Sequence, residues 1–207
     1  GVSTKSDEYL PSISRDGQFC VFVRSLADSA KSGYPARIET LMISTLSESG
    51  EFDSGIPLGY PFKSNIGSAT LSATNKHLFL TICETDLNGY NNCDIYISVF
   101  GNEGWSEPVS LGPGVNGKST FEAQPTLSLD QKSLYFVSIR EENIGGNDNM
   151  DLYVSNYRED GTWGQTKNLG RTINTEGNEK APFIHHDNHT LYFSSDGHEG
   201  FGGFDVY

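Results

Sequence analysis

A short pattern appears four times along the chain, and it constrains the fold more than any other feature. Each copy begins with Pro or Ala, has Ser or His three positions later, passes through a turn, and ends in an aromatic or branched apolar run. The copies start at Pro11, Ala69, Pro125 and Pro182, which lie 56 to 58 residues apart. Regular repetition at this spacing is typical of proteins built by stacking one supersecondary unit.

Each copy predicts two strands joined by a tight turn. In the first copy, Asp16-Gly17 supplies the turn, and Cys20-Val21-Phe22 is a run suited to a buried, pleated surface. A third apolar run follows in each copy, and in three copies a fourth element contains Phe52, Trp105 or Trp163, six residues before a Leu-Gly pair. The sequence therefore predicts an all-β fold: a β-propeller with four-stranded antiparallel blades of about 57 residues.

The predicted blades divide the chain without a separate second domain. All of 1–207 is assigned to part of a single propeller, with blades at roughly 8–60, 66–116, 122–174 and 179–207, the last of them incomplete. An unclosed ring would expose a sheet edge, which proteins avoid. We therefore expect the natural protein to continue on both sides of this segment.

Composition and motifs exclude several functions. A net charge of −13 with only 14 Lys and Arg residues predicts no binding to nucleic acid, which requires clustered basic residues. No apolar run is long enough to predict direct membrane insertion. No nucleophile elbow, phosphate-binding loop or zinc-protease motif is present, so neither an enzyme nor a cofactor is predicted. Carboxylates are plentiful, and a glycosidase pair stays open on residue types alone.

The three cysteines differ in their expected roles. Cys20 takes the place of a leucine in the other copies and is predicted to be a small buried apolar residue. Cys83 and Cys93 flank the loop between the second and third strands of one blade. Neighbouring strands would bring their Cβ atoms within bridging distance, so a disulfide and two free thiols are both open.

Clusters of potential metal ligands are interpreted as turn residues. His185, His186 and His189 span a tight turn, where successive side chains point to opposite faces. The Asp- and Asn-rich loops 86–94 and 147–151 lack the full spacing of a calcium loop. No metal site is predicted.

A recurring carboxylate has two interpretations. Glu8, Glu122 and Glu179 each lie three residues before the proline that opens the innermost strand of a blade. They would form an acidic ring at the mouth of the central channel, or each would accept backbone N–H bonds and fix the crossover between blades. Ile66 stands at this position in the second copy.

The long connections of the predicted blades indicate an interaction surface. The connections from second to third strand, and those between blades, emerge on one face of a propeller, and here they are the long ones. Partner-binding candidates on this face are Tyr34, Arg37, Tyr90, Arg140 and Ile144.

The repeat pattern also carries a family resemblance. Pro-x-x-Ser-x-Asp-Gly-x-x-x-x-Phe, followed by Asp-Ile/Leu-Tyr, Gly-x-Trp and Asn-Leu-Gly, resembles the WD-repeat-like propellers of TolB-type and related bacterial envelope proteins. Residues 173–207 are similar to propellers of Bacteroidetes that stand beside an OmpA-like peptidoglycan-binding domain. Residues 1–11 are similar to the propeller of the PorE-type component of the type IX secretion system, a periplasmic lipoprotein.

This resemblance implies a non-catalytic scaffold in the periplasm, associated with the outer membrane. Its partners would be other envelope or secretion-system proteins, and peptidoglycan would be held only by a domain outside this segment. The first and second copies depart from the family pattern, with Thr40-Leu41-Met42 and Thr74 at the expected Asp positions. The alternative is the propeller of a carbohydrate-active enzyme or a peptidase-associated domain.

Overall fold

The computed structural model describes residues 1–27, 37–59, 61–62, 65–85 and 91–207. Strands are the regular secondary structure of this part of the chain. The first sheet contains β1 (Asp7–Ile13), β2 (Phe19–Ala27), β3 (Arg37–Thr45) and β4 (Ile56–Pro57). The second contains β5 (Ile66–Leu71), β6 (His77–Thr85), β7 (Asn91–Gly101), β8 (Gly104–Trp105) and β9 (Val109–Ser110).

Two further sheets follow the same plan. The third contains β10 (Phe121–Leu127), β11 (Ser133–Ile139), β12 (Asp151–Asn156) and β13 (Lys167–Asn168). The fourth contains β14 (Glu179–Ile184), β15 (Leu191–Ser195) and β16 (Asp205–Val206). All strand pairs are antiparallel and join strands that follow one another along the chain, except that β9 pairs with β7 beyond the β7–β8 hairpin. The predicted fold class is confirmed: the sheets are the blades of an all-β propeller.

The tight turns form for the reason that the sequence suggested. In the first blade, the Ser14 hydroxyl donates to Asp16 Oδ1 at 2.6 Å, and the Gln18 N–H donates to the same oxygen at 3.0 Å. The third blade repeats this arrangement with Ser128 and Asp130. The turn also needs a left-handed residue, and the positions with positive φ are Gly17, Asn75, Gln131 and Asn188. Gly and Asn adopt this conformation with little strain, which explains their recurrence here.

The cores lie between neighbouring blades. Leu41 of β3, Ile95 of β7 and Leu152 of β12 occupy equivalent positions, and each is fully buried against the following blade. Cys20 is buried in a further cluster with Phe22 and Met42, as predicted for a small apolar residue. Each blade is thus stabilised mainly by apolar area shared with its neighbour.

No helix in the described ranges is both long enough and apolar enough to cross a membrane.

Candidate functional site

The blades separate short turns from long connections. The turns 14–18, 72–76 and 128–132 join first to second strands on one face. The second strands end and the third strands begin at the opposite face, which we call the loop face, and the described connection 140–150 lies there. Connections between blades emerge on this face too. The loop face therefore carries the longer connections of the scaffold.

Two of the predicted partner-binding residues remain candidates on this face. Arg37 begins β3, and its exposed guanidinium lies 3.0 Å from the exposed Asp7 carboxylate. Ile144 is half-buried, and its N–H donates to Asp151 Oδ2 at 2.9 Å. Tyr34 and Tyr90 lie outside the described residues.

Arg140, a further predicted partner-binding residue, is mostly buried and makes contacts within the propeller. Its guanidinium donates to Glu122 Oε1 at 2.9 Å and to the Val115 carbonyl at 2.7 Å, and its side chain is 15% exposed. The guanidinium also lies over the Tyr153 ring, 5.2 Å from the centroid. Arg140 therefore ties the crossover from the second blade to the core of the third.

The three recurring glutamates make the contacts that the crossover-fixing interpretation predicts. Glu122 and Glu179 are fully buried and accept backbone N–H bonds from Gly117 and Thr175 respectively. Glu8 is mostly buried, accepting the Thr4 N–H and pairing with Arg24 at 2.8 Å. Their carboxylates are turned into the blades because the preceding crossover supplies N–H donors there.

The buried network perturbs the ionisation of Glu122. Burial raises the pKa of this carboxyl, while the neighbouring Arg140 guanidinium and the Ser138 hydroxyl act in the opposite direction. The net effect is a raised pKa, because removing a carboxylate from water disfavours its charged form.

The second blade replaces this network with different chemistry. Ile66 stands where the other blades have glutamate, and it lies opposite Ile82 in the β5–β6 pair. At the neighbouring position, Cys83 of β6 faces Cys93 of β7, and the two form a disulfide across the strands with Cα atoms 4.0 Å apart. The bridge holds the two strands together where the connection 86–90 leaves the blade.

The start of the third strand carries a buried carboxylate. Asp151 Oδ2 accepts from the Ile144 N–H at 2.9 Å and from Asn168 Nδ2 at 2.7 Å. Burial raises the pKa of Asp151, and the equivalent Asp94 of the second blade has a raised pKa for the same reason. Across the described ranges, no group of three or more His, Cys, Asp or Glu side chains is placed to hold a metal ion.

Sequence reasoning missed a pair of asparagines that latch the blade connections. The Asn116 side chain accepts from the Ile95 N–H at 2.9 Å and donates to the Ile95 carbonyl at 2.8 Å. Asn174 makes the same two bonds with Leu152, at 2.8 and 3.0 Å. The signal that could have revealed them is a repeated Gly-x-x-Val/Ile-Asn, at 112–116 and 170–174.

The inner strands surround a central cavity of about 260 Å³. Within each inner strand lies a β-bulge, and in three blades the residue before the proline has a positive φ: Leu10, Gln124 and Ala181. The Gln124 N–H donates to Thr81 Oγ1 of the previous blade, and Gln124 Oε1 accepts from the Ala181 N–H of the next. None of the described residues that line the cavity is ionisable, so its lining offers no general acid or base.

Comparison with known proteins bears on the fold. No protein-family model and no curated relative matches the chain. Among solved structures, TolB from Acinetobacter baumannii is similar, with a TM-score of 0.58 and 14% identity over 99% of this chain and 41% of that chain. The propeller domain of the Trilobed protease from Pyrococcus furiosus gives 0.51 and 13%, over 98% and 54% of the two chains.

A third similar structure has another activity in its name. The periplasmic gluconolactonase of Pseudomonas aeruginosa gives a TM-score of 0.52 and 11% identity, over 96% of this chain and 55% of that chain. The chain thus spans about half of the length of these three proteins. At such identities the likeness shows a propeller fold alone, because one fold hosts many unrelated functions.

Proposed function

We propose that the chain is a protein-docking propeller without catalytic activity, part of a periplasmic protein associated with the outer membrane. The more specific role is that of a structural component of the type IX secretion system. The observation that carries the docking role is the separation of a rigid scaffold from one face of long connections. Loops presented by a rigid scaffold are where proteins most often place their binding residues.

The interior of the propeller supports a structural role. The recurring glutamates, which are the most suggestive acidic residues of the sequence, are occupied in holding crossovers. The lining of the central cavity consists of apolar, hydroxyl and amide side chains. General acid–base catalysis needs titratable groups within reach of a substrate, and this lining provides none from the described residues.

The periplasmic placement and the secretion-system role rest on the sequence resemblance. They are supported by the repeat pattern itself, above all by residues 173–207, in which the Asp-x-Tyr and Gly-Gly elements of the family stand in order. A disulfide between Cys83 and Cys93 also suits an oxidising compartment.

Site-specific cross-linking tests this proposal. A photo-reactive amino acid would be placed at Arg37 or Ile144 on the loop face, and as a matched control at Asn75 in a turn of the opposite face. In envelope extracts of a type IX-secreting bacterium, we expect the loop-face probes to cross-link secretion-system or outer-membrane proteins that the control does not capture. Equal capture from both faces, or turnover of glycans or peptides by the purified protein, contradicts the proposal.

A further inference from the structure

A groove of about 620 Å³ lies at the outer edge of the seam between the second and third blades. Its walls are the hairpin 157–163 of the third blade and the segment 110–114 that leads out of the second, with Gln165 beside them. Sites for small ligands have volumes of this order and combine apolar walls with a few polar groups.

An aromatic pair forms one wall of the groove. Trp163 packs edge-to-face on Phe79 of the second blade, with ring centroids 5.8 Å apart. Tyr157 packs in the same manner on Trp163, at 5.2 Å, and remains 49% exposed. Trp163 is thus a wedge between two blades, while the Tyr157 ring presents open aromatic surface to the groove.

Among the described residues that line the groove, one side chain is charged at neutral pH. Arg158 is the only ionisable residue with a charge at neutral pH in its described lining, and the chain as a whole has a net charge of −13. The Arg158 guanidinium makes no hydrogen bond or ion pair with any residue that the structure describes. The Asp160 carboxylate of the same hairpin accepts from the Thr162 N–H and hydroxyl at 3.0 and 2.6 Å, and these bonds, together with the weaker effect of the Arg158 charge, lower its pKa.

The equivalent place in the second blade shows which of these groups the fold requires. There, Phe100 and Trp105 form the same edge-to-face pair, with centroids 5.2 Å apart. However, Gly101 and Glu107 stand where the third blade has Arg158 and Gln165. The aromatic pair therefore belongs to the blade architecture, whereas the guanidinium and the amide are additions of the third blade.

We infer that this groove binds an acidic sugar, a pyranose ring that carries a carboxylate. The sugar ring packs on the exposed Tyr157 ring, the carboxylate pairs with the Arg158 guanidinium, and ring hydroxyls bond to the Gln165 amide. A planar guanidinium is well matched to a carboxylate. An acidic peptide side chain would pair with the Arg158 guanidinium but would make no contact with the Tyr157 ring or the Gln165 amide. This binding goes beyond partner docking and involves a different surface.

Titration of the purified protein tests the inference. Two probes that carry a carboxylate are used, methyl glucuronide for uronic acids and N-acetylmuramic acid for cell-wall sugars. NMR chemical-shift changes of the protein report saturable binding of each. We expect at least one probe to bind with a dissociation constant in the millimolar range or tighter. Methyl glucoside and N-acetylglucosamine, which lack the carboxylate, are expected to bind at least about tenfold more weakly.

Matched variants locate the site. Arg158→Gln and Tyr157→Leu are each expected to weaken binding about tenfold. The controls Arg171→Gln and Tyr192→Leu remove an exposed arginine and an exposed tyrosine elsewhere, Tyr192 being 45% exposed, and are expected to leave binding unchanged. Thermal unfolding shows that each variant is folded.

Several results would overturn the inference. They are the absence of saturable binding by either probe, equal binding of the neutral sugars, and unchanged affinity in the Arg158 variant. Displacement of the bound sugar by an acidic peptide at equal or lower concentration would also reject it in favour of a peptide site.

Discussion

Replacing Arg140 by Met tests whether the buried pair with Glu122 holds the crossover between the second and third blades. The substitution keeps an unbranched apolar stem beside Tyr153 and removes the guanidinium. Glu122 keeps the Gly117 N–H and the Ser138 hydroxyl as hydrogen-bond donors, at 3.2 and 2.9 Å. Its fully buried carboxylate is left without a counter-charge, and the Val115 carbonyl loses its bond from Arg140.

The expected loss in the free energy of unfolding is about 3 kcal/mol, because removing one partner of a buried ion pair costs roughly 3–5 kcal/mol. The lower end applies because the Arg140 side chain is 15% exposed, so water can partly replace it. For a chain of this size, the melting temperature should fall by about 6–12 °C. Urea unfolding followed by tryptophan fluorescence gives the free energy, and Arg171→Met is the control at an exposed arginine.

The loss should also depend on pH, and the sign follows from the pKa of Glu122. Burial already raises this pKa, and removing Arg140 raises it further because the guanidinium favours the charged carboxylate. A group whose folded pKa is raised contributes stability at low pH that is lost as pH rises. The difference between variant and natural protein should therefore be largest near neutral pH and shrink on acidification. A loss below about 1 kcal/mol, or one independent of pH, would refute the reasoning.

Three further predictions concern other contacts. Replacing Cys83 and Cys93 together by Ala should lower the free energy of unfolding by about 2.5 kcal/mol, since the bridge closes a short loop in the unfolded chain; an unchanged urea midpoint would contradict this. Asn174→Asp should cost about 2 kcal/mol in the same assay, because a carboxylate cannot donate to the backbone carbonyl that the amide bonds; the exposed Asn147→Asp is its control, and equal effects would reject the latch. Ser128→Ala should raise the pKa of Asp130 towards its ordinary value, because the Ser128 hydroxyl lowers it in the natural protein; carboxyl NMR titration measures this pKa. The lowered pKa stabilises the fold above the unfolded pKa of Asp130, and this stabilisation is lost as pH falls. In the variant the pH-dependent loss should be smaller.

The repeat predicted the architecture well because the same physical demands recur in every blade. A turn needs a left-handed residue, and a strand between two blades needs apolar side chains on both faces, so Gly17 and Cys20 could be assigned from position alone. The contacts of Arg140 could not be predicted from its position in the repeat. It lies just after β11, at the start of a long connection, and only the register of β10 against β11 brings it back to Glu122, 18 residues earlier in the chain.

The candidate site was harder to predict than the fold because it depends on contacts between blades. The groove at Tyr157 is formed by a hairpin of one blade and a connection from another, and nothing in either segment alone marks a cavity. The sequence did contain the aromatic position, at Trp163, but its repetition in the other blades indicated a structural residue. Arg158 became informative only when the other residues that line the groove were known.

The second blade shows that a crossover can be fixed without the recurring glutamate. Three of the four equivalent positions hold a glutamate, and the fourth holds Ile66. Ile66 opposite Ile82 exchanges a buried, hydrogen-bonded carboxylate for apolar packing, an exchange that costs little when the whole polar network is replaced at once. The disulfide at the adjacent strand pair joins the end of β6 to the start of β7, whereas Arg140 in the third blade ties the crossover through the Val115 carbonyl. The inner positions of the blades can therefore be filled either by a buried polar network or by apolar packing, and both fit the same backbone.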